Sequence, residues 1–180
     1  SACCLPPISI KKNLITKIEI QTKKLALALN VKGFMNIQFA IKNDEIFVIE
    51  VNPRASRTVP FVSKAKGIPL AKIASRVMAG EKLSKFNLKS KTKKMYAVKE
   101  AVFPFNKFPK SDVLLGPEMK STGEVMGFDK DFGMAFAKSQ IAASNSLPTK
   151  GLAFISLKNS HKAEGVDLAR QLLKLNFTLC

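Results

Sequence analysis

The chain is 180 residues long, with 30 Lys and Arg against 13 Asp and Glu, a formal net charge of +17 and 46% hydrophobic residues. That apolar content excludes a disordered basic tail, and the length admits one ordinary domain, or one domain and a piece of another. Of the basic residues 26 are Lys spread along the chain and four are Arg, with one Tyr and no Trp. The charge is therefore expected to be a solvated surface, not a nucleic-acid interface of guanidinium forks and stacking rings.

Residues 9–29 read as a helix: Leu14, Ile18, Leu25 and Leu29 recur at helical spacing, Ser9 is placed to cap the start, and Asn30 and Gly33 end it. Residues 34–41 and 46–52 read as strands joined by the polar turn Lys42-Asn43-Asp44-Glu45, and Pro53 stops the second strand. A Pro-bounded turn, Pro53 to Pro60, leads to a helix over 69–79, with Pro69 in its first turn, Gly80 at its end, and Leu70, Ile73, Ala74 and Val77 inward. Residues 84–94 are a Lys-rich surface connection, and 96–103 alternate like a strand. Pro104, Pro109, Gly116 and Pro117 mark a long irregular stretch, followed by a helix from about Asp129 to Ala143 with Phe132, Ala135 and Phe136 inward. After a linker at 144–150 come a strand over 151–157, a helix over 162–174 with Val166, Ala169, Leu172 and Leu173 inward, and a third element from Asn176. This is the opening of a strand-helix-strand unit. Some 35 residues cannot bury a self-sufficient core, so a piece of a longer chain, cut at both ends, is expected.

The cysteines, Cys3, Cys4 and Cys180, do not form a disulfide framework, because two are adjacent and the third is the last residue; this fits a reducing compartment. No apolar run approaches the ~20 residues of a membrane span and no signal-peptide pattern opens the chain, so a cytoplasmic protein with no membrane partner is expected. His161, the only His, lies in a polar turn and reads as a surface residue. Cys3 and Cys4 have no partner at metal-ligand spacing, and Glu118 and Glu124 read as structural.

The first hairpin carries the chemistry. Side chains alternate along a strand, so Gln38 shares a face with Asn36 and Ala40, and Glu50 shares one with Asn52. Matching the apolar faces sets Phe39 opposite Ile49 and Gln38 opposite Glu50. Gln38, Glu50 and Asn52 then form an all-oxygen cluster suited to a hard divalent ion. Arg54 and Arg57 follow at once and are suited to bidentate contact with phosphate oxygens. Alternation alone also produces polar residues on a wet sheet face, and that reading stays open for the residues by themselves.

At these residues the sequence resembles a known family. Ile49-Glu50-Val51-Asn52-Pro53-Arg54-Ala55-Ser56-Arg57-Thr58-Val59-Pro60-Phe61-Val62-Ser63-Lys64, with Gly67-Ile68-Pro69-Leu70-Ala71-Lys72 and Arg76-Val77-Met78-Ala79-Gly80, resembles the large subunit of carbamoyl-phosphate synthases. Within that subunit it is most similar to the second of two ATP-grasp halves. Val98-Lys99-Glu100, Pro104-Phe105-Asn106-Lys107-Phe108-Pro109 and the stretch from Leu115 to Gly127 agree. Ser1-Ala2-Cys3 and Leu5-Pro6-Pro7 resemble the segment just after a nucleotide-binding loop.

The resemblance implies an α+β fold: an ATP-grasp C-terminal lobe of antiparallel strands and flanking helices over 1–145, then over 146–180 the opening of an α/β, methylglyoxal-synthase-like regulatory domain. It implies an ATP-dependent ligase that phosphorylates carbamate to carbamoyl phosphate, in glutamine-dependent synthesis from bicarbonate for arginine and pyrimidine biosynthesis. Gln38 and Glu50 would bind Mg²⁺ or Mn²⁺ and, through it, the ATP phosphates. Asn52 would complete a metal site, and Arg54 and Arg57 would contact the transferred phosphoryl group or the carbamate. K⁺ is a further expected cation, near Ser1. The partners implied are the small glutaminase subunit and the rest of the large subunit. The 180 residues alone are expected to be inactive. The competing readings are another ATP-grasp carboxylate-amine ligase and, from a different class, a Lys-rich nucleic-acid-binding module.

Overall fold

A computed structural model describes residues 2–88, 95–108, 110 and 112–180. Expectations placed on Ser1, on Lys89 to Lys94 and on Pro109 lie outside the described residues. In chain order the elements are β1 (Cys3–Leu5), α1 (Lys12–Ala28), β2 (Asn36–Lys42), β3 (Glu45–Asn52), α2 (Thr58–Lys66), α3 (Leu70–Met78), β4 (Tyr96–Val102), β5 (Gly123–Asp129), α4 (Phe132–Ala142), β6 (Gly151–Ala153), α5 (Lys162–Lys174) and β7 (Phe177–Leu179). They fall into two compact units, Ser1–Ala143 and Ser144–Cys180.

The first unit holds an antiparallel sheet of order β1-β4-β5, and β2 and β3 pair as a separate antiparallel hairpin. Alternation along β4 sets the two faces of the three-stranded sheet. Ala97, with Met126 and Phe128 of β5, packs against Phe61 and Ala65 of α2 and against Cys3 and Leu5. On the opposite face α4 lies directly on β5: a Cβ on Gly127 would sit 1.9 Å from the Ala135 carbonyl oxygen and 2.5 Å from the Ser139 nitrogen. Ala135 and Ser139 are fully buried there. Only a glycine permits that approach of backbone to backbone.

Several expectations are corrected. Helix α1 begins at Lys12, and Lys11 occupies its N-cap without a side-chain capping bond, so Ser9 does not cap it. The backbone at Lys11 is extended, and the first turn is set by burial of Leu14, which is 3% exposed. Asn30 and Gly33 do take the positive φ that ends such a helix.

The stretch assigned to a turn before Pro60 contains the start of α2. Its signals are a proline in the first turn, the Phe61–Ala65 spacing, and Gly67, left-handed at φ 63 and donating to the Lys64 carbonyl. Strand β5 falls within the region read as irregular and as helix start. Gly123 and Gly127 weaken its strand pattern, and pairing with β4 supplies what propensity does not. Helix α4 starts at Phe132, capped by the Asp131 carboxylate, which accepts from the Met134 N–H at 2.9 Å. Phe136 is 45% exposed and is not an inward residue.

In the second unit β6 and β7 pair in parallel on either side of α5, a strand-helix-strand unit. The strand over 151–157 is only three residues long as an element. Ala169 and Leu172 are half-buried, whereas Val166 and Leu173 face outward.

Candidate metal and phosphate site

The turn of the hairpin is Asn43-Asp44, both at positive φ (51° and 63°), the conformation that lets two antiparallel strands close over two residues. From it the pairing runs Lys42 with Glu45, Ile41 with Ile46, Ala40 with Phe47 and Phe39 with Val48. A bulge then intervenes, and Gln38 pairs with Glu50, Ile37 with Val51 and Asn36 with Asn52. The predicted opposition of Gln38 and Glu50 is present. That of Phe39 and Ile49 is not, because Ile49 is the extra residue of the bulge, and it is 63% exposed.

The bulge also reassigns faces. Val48, not Ile49, joins Ile46 and Val51 against Ile37, Phe39 and Ile41, while Phe47 moves to the face of Ala40, Gln38 and Glu50. The apolar face closes a cleft of about 410 Å³ with Ile10, Lys11 and Leu14 at the start of α1. Lys11 reaches the Asp44 carboxylate at 2.5 Å, an exposed pair that contributes little.

On the opposite face Asn36, Gln38, Glu50 and Asn52 stand as two register pairs. Directly opposed Cβ atoms lie ~5 Å apart, so one carboxylate and three amide oxygens share a patch of sheet. Gln38 and Glu50 are exposed, and Asn36 and Asn52 are half-buried. Among the described residues no cation or donor engages the Glu50 carboxylate, and no three His, Cys, Asp or Glu side chains group as metal ligands. The donor set therefore rests on amides and a single carboxylate. That chemistry fits a hard cation that keeps part of its water shell, and it lacks the thiolate and imidazole ligands that zinc or copper sites use.

The two arginines are placed differently. The Arg54 N–H donates to the Asn52 carbonyl at 2.8 Å, turning the chain out of β3, and its guanidinium donates to the Ala55 carbonyl at 3.1 Å. Arg57 stands at the N-cap of α2 in helical conformation, and its guanidinium contacts the Met119 sulfur. Neither guanidinium bonds to Gln38, Glu50 or Asn52 in this structure.

A second polar arrangement was not foreseen from sequence. Lys99 in β4 is 3% exposed and donates to the Glu124 carboxylate at 2.8 Å, a diagonal cross-strand pair on the α2 side of the sheet. It borders a cavity of about 380 Å³ lined also by Pro60, Phe61 and Lys64, and by none of the hairpin residues. Glu124, read from sequence as structural, is paired here with Lys99. Burial pushes the Cys3 thiol above its usual range, although the Lys99 ammonium beside it acts the other way. The opposition of a Lys and a Glu two positions apart on adjacent strands was a usable signal, but β5 had to be recognised first.

Among the described residues no helix is long and apolar enough to cross a membrane. Residues 3–86 match the family described as carbamoyl-phosphate synthase L chain, ATP binding domain. Over 181 residues, 99% of the chain, the sequence is 56% identical to the carbamoyl phosphate synthase large chain of Archaeoglobus fulgidus, and it spans 17% of that protein. The identity is also 56% over 178 residues to the large chain of Pseudomonas putida, covering 98% of this chain and 17% of that one. To the protein named carbamoyl phosphate synthase large chain, C-terminal section, of Aquifex aeolicus it is 48% over 194 residues, covering 98% of this chain and 36% of that protein. The chain belongs to the carbamoyl phosphate synthase large-chain family, of which it spans a segment that includes ATP-binding-domain sequence.

Proposed function

We propose that this segment forms the metal- and phosphate-binding wall of an ATP-dependent ligase that phosphorylates carbamate to carbamoyl phosphate. The observation that carries the reading is the register of the hairpin, with Gln38 opposite Glu50 and Asn52 next on the same face. Gln38 and Glu50 hold Mg²⁺ or Mn²⁺ and with it the ATP phosphates, and Asn52 completes the oxygen set. When bound, such an ion neutralises charge on the phosphates during transfer. Arg54 and Arg57 leave the end of the same strand and grip the equatorial oxygens of the moving phosphoryl group or the carbamate. A carbamate oxygen forms the new bond to the γ-phosphorus as the bond to ADP breaks.

The similarity to the Aquifex aeolicus C-terminal section supports assigning residues 1–145 to the second of two ATP-grasp domains. The compact unit Ser144–Cys180 supports a domain boundary near residue 145, with the opening of a methylglyoxal-synthase-like regulatory domain beyond it. On this reading K⁺ is a further cation of the enzyme. Its other partners are the small glutaminase subunit and the remainder of the large chain, in the cytoplasm. The product serves arginine and pyrimidine synthesis.

The test is Glu50→Gln in a full-length large chain carrying this segment. Carbamoyl-phosphate formation is expected to fall by at least about 100-fold, the size of losing one charge-stabilising group at a transfer site, while glutamine hydrolysis persists. Undiminished carbamoyl-phosphate synthesis would contradict the reading.

A further inference from the structure

The register of the first hairpin changes at one place, and that place borders the donor cluster. Counted on from the turn without interruption, the ladder would set Gln38 opposite Ile49 and Ile37 opposite Glu50. The carboxylate of the cluster would then stand on the face of Ile37, Phe39 and Ile41. The observed pairing skips Ile49 and keeps Glu50 opposite Gln38.

That pairing does not itself require an extra residue. A strand running from Val48 straight to Glu50 would set Gln38 opposite Glu50 and Asn36 opposite Asn52 in an unbroken ladder. Ile49 adds nothing to the core either, at 63% exposure. What it changes is direction. The residue inserted at a bulge has no partner across the ladder, bends its own strand and adds local right-handed twist.

The bend divides the hairpin by task. On the turn side, Phe39 and Ile41 line the cleft with Ile10 and Leu14, so packing fixes that half. Beyond the bulge stand the two donor pairs, Gln38 with Glu50 and Asn36 with Asn52. An unbroken ribbon would carry the orientation of the packed half straight into the donor half. The bulge lets the donor half take a direction of its own.

We propose that the bulge at Ile49 is a positioning device that turns the donor half of the hairpin so that Gln38, Glu50 and Asn52 converge on one cation. Ile49 acts through the backbone it inserts, and its side chain takes no part. The proposal rests on the functional reading above and deepens it.

The test is Mn²⁺ binding to a full-length large chain carrying this segment, at saturating nucleotide, followed by electron paramagnetic resonance. Deleting Ile49 leaves every register pair and every donor in place and removes only the bulge. The deletion variant is expected to fold and to bind Mn²⁺ at least about 10-fold more weakly, the size of losing a group that orients metal ligands. Ile49→Ala keeps the inserted residue and is expected to stay within about twofold of wild type. Undiminished binding after the deletion, an equal loss in Ile49→Ala, or a deletion variant that does not fold would overturn the proposal; if Glu50→Gln loses Mn²⁺ in the same series, the functional reading stands without it. Wild-type binding in Glu50→Gln would instead overturn the functional reading and the proposal with it.

Discussion

Residues whose roles depend on backbone approach divide from those whose roles depend on charge. Gly127 belongs to the first kind: the added methyl would overlap the Ala135 carbonyl oxygen and the Ser139 nitrogen, both backbone atoms of a packed helix. Gly127→Ala is expected to destabilise the fold by about 3 kcal/mol, read as a lower denaturant midpoint, because neither atom can rotate away. An unchanged midpoint would mean that α4 does not sit on β5 as described. Glu50 and the paired amides belong to the second kind. Gln38 and Glu50 are exposed, so removing them costs the fold little and a functional loss in their variants is separable from unfolding. The candidate donors were legible in the sequence because alternation in two short strands is a strong constraint. The contact of Arg57 with Met119 was not, since it joins residues 62 positions apart through a stretch without regular structure.

Elements with a single consistent signal were readable, and those built by tertiary pairing were not. The hairpin, α3 and α5 each show matching periodicity and punctuation, and they appear near the expected bounds. Strand β5 carries two glycines and exists by pairing with β4. Helix α2 is short and begins beside a proline that also suits a turn. The bulge at Ile49 left no mark in the pattern, because Phe47, Ile49 and Val51 alternate perfectly; only the paired strand reveals that Val48 faces Phe39. Helix α4 offers a clean check at this scale. Its N-cap carboxylate, Asp131, accepts from the Met134 N–H. Asp131→Ala is expected to cost about 1 kcal/mol of stability, with Asp131→Asn or Asp131→Ser recovering most of it, as measured by thermal or urea unfolding. Equal losses for all three would show that the cap bond is not what matters.

Across the whole chain, the two compact units differ in what they bury. Ser1–Ala143 encloses its sheet between α2 and α4, whereas in Ser144–Cys180 Leu152, Phe154 and Leu173 remain 67%, 78% and 55% exposed. A unit that size cannot bury enough apolar surface to be stable by itself. The positive charge is dominated by lysine and the site donors are oxygen, so cation and phosphate chemistry at the hairpin, not the global charge, is what the functional reading depends on. The most direct test is Mn²⁺ binding to the full-length large chain in the presence of nucleotide, followed by electron paramagnetic resonance. Wild type should bind more Mn²⁺ per chain than Glu50→Gln or the double variant Gln38→Ala, Asn52→Ala, with both variants folded. Equal Mn²⁺ stoichiometry and affinity in all three would contradict the assignment of the hairpin face as a metal site.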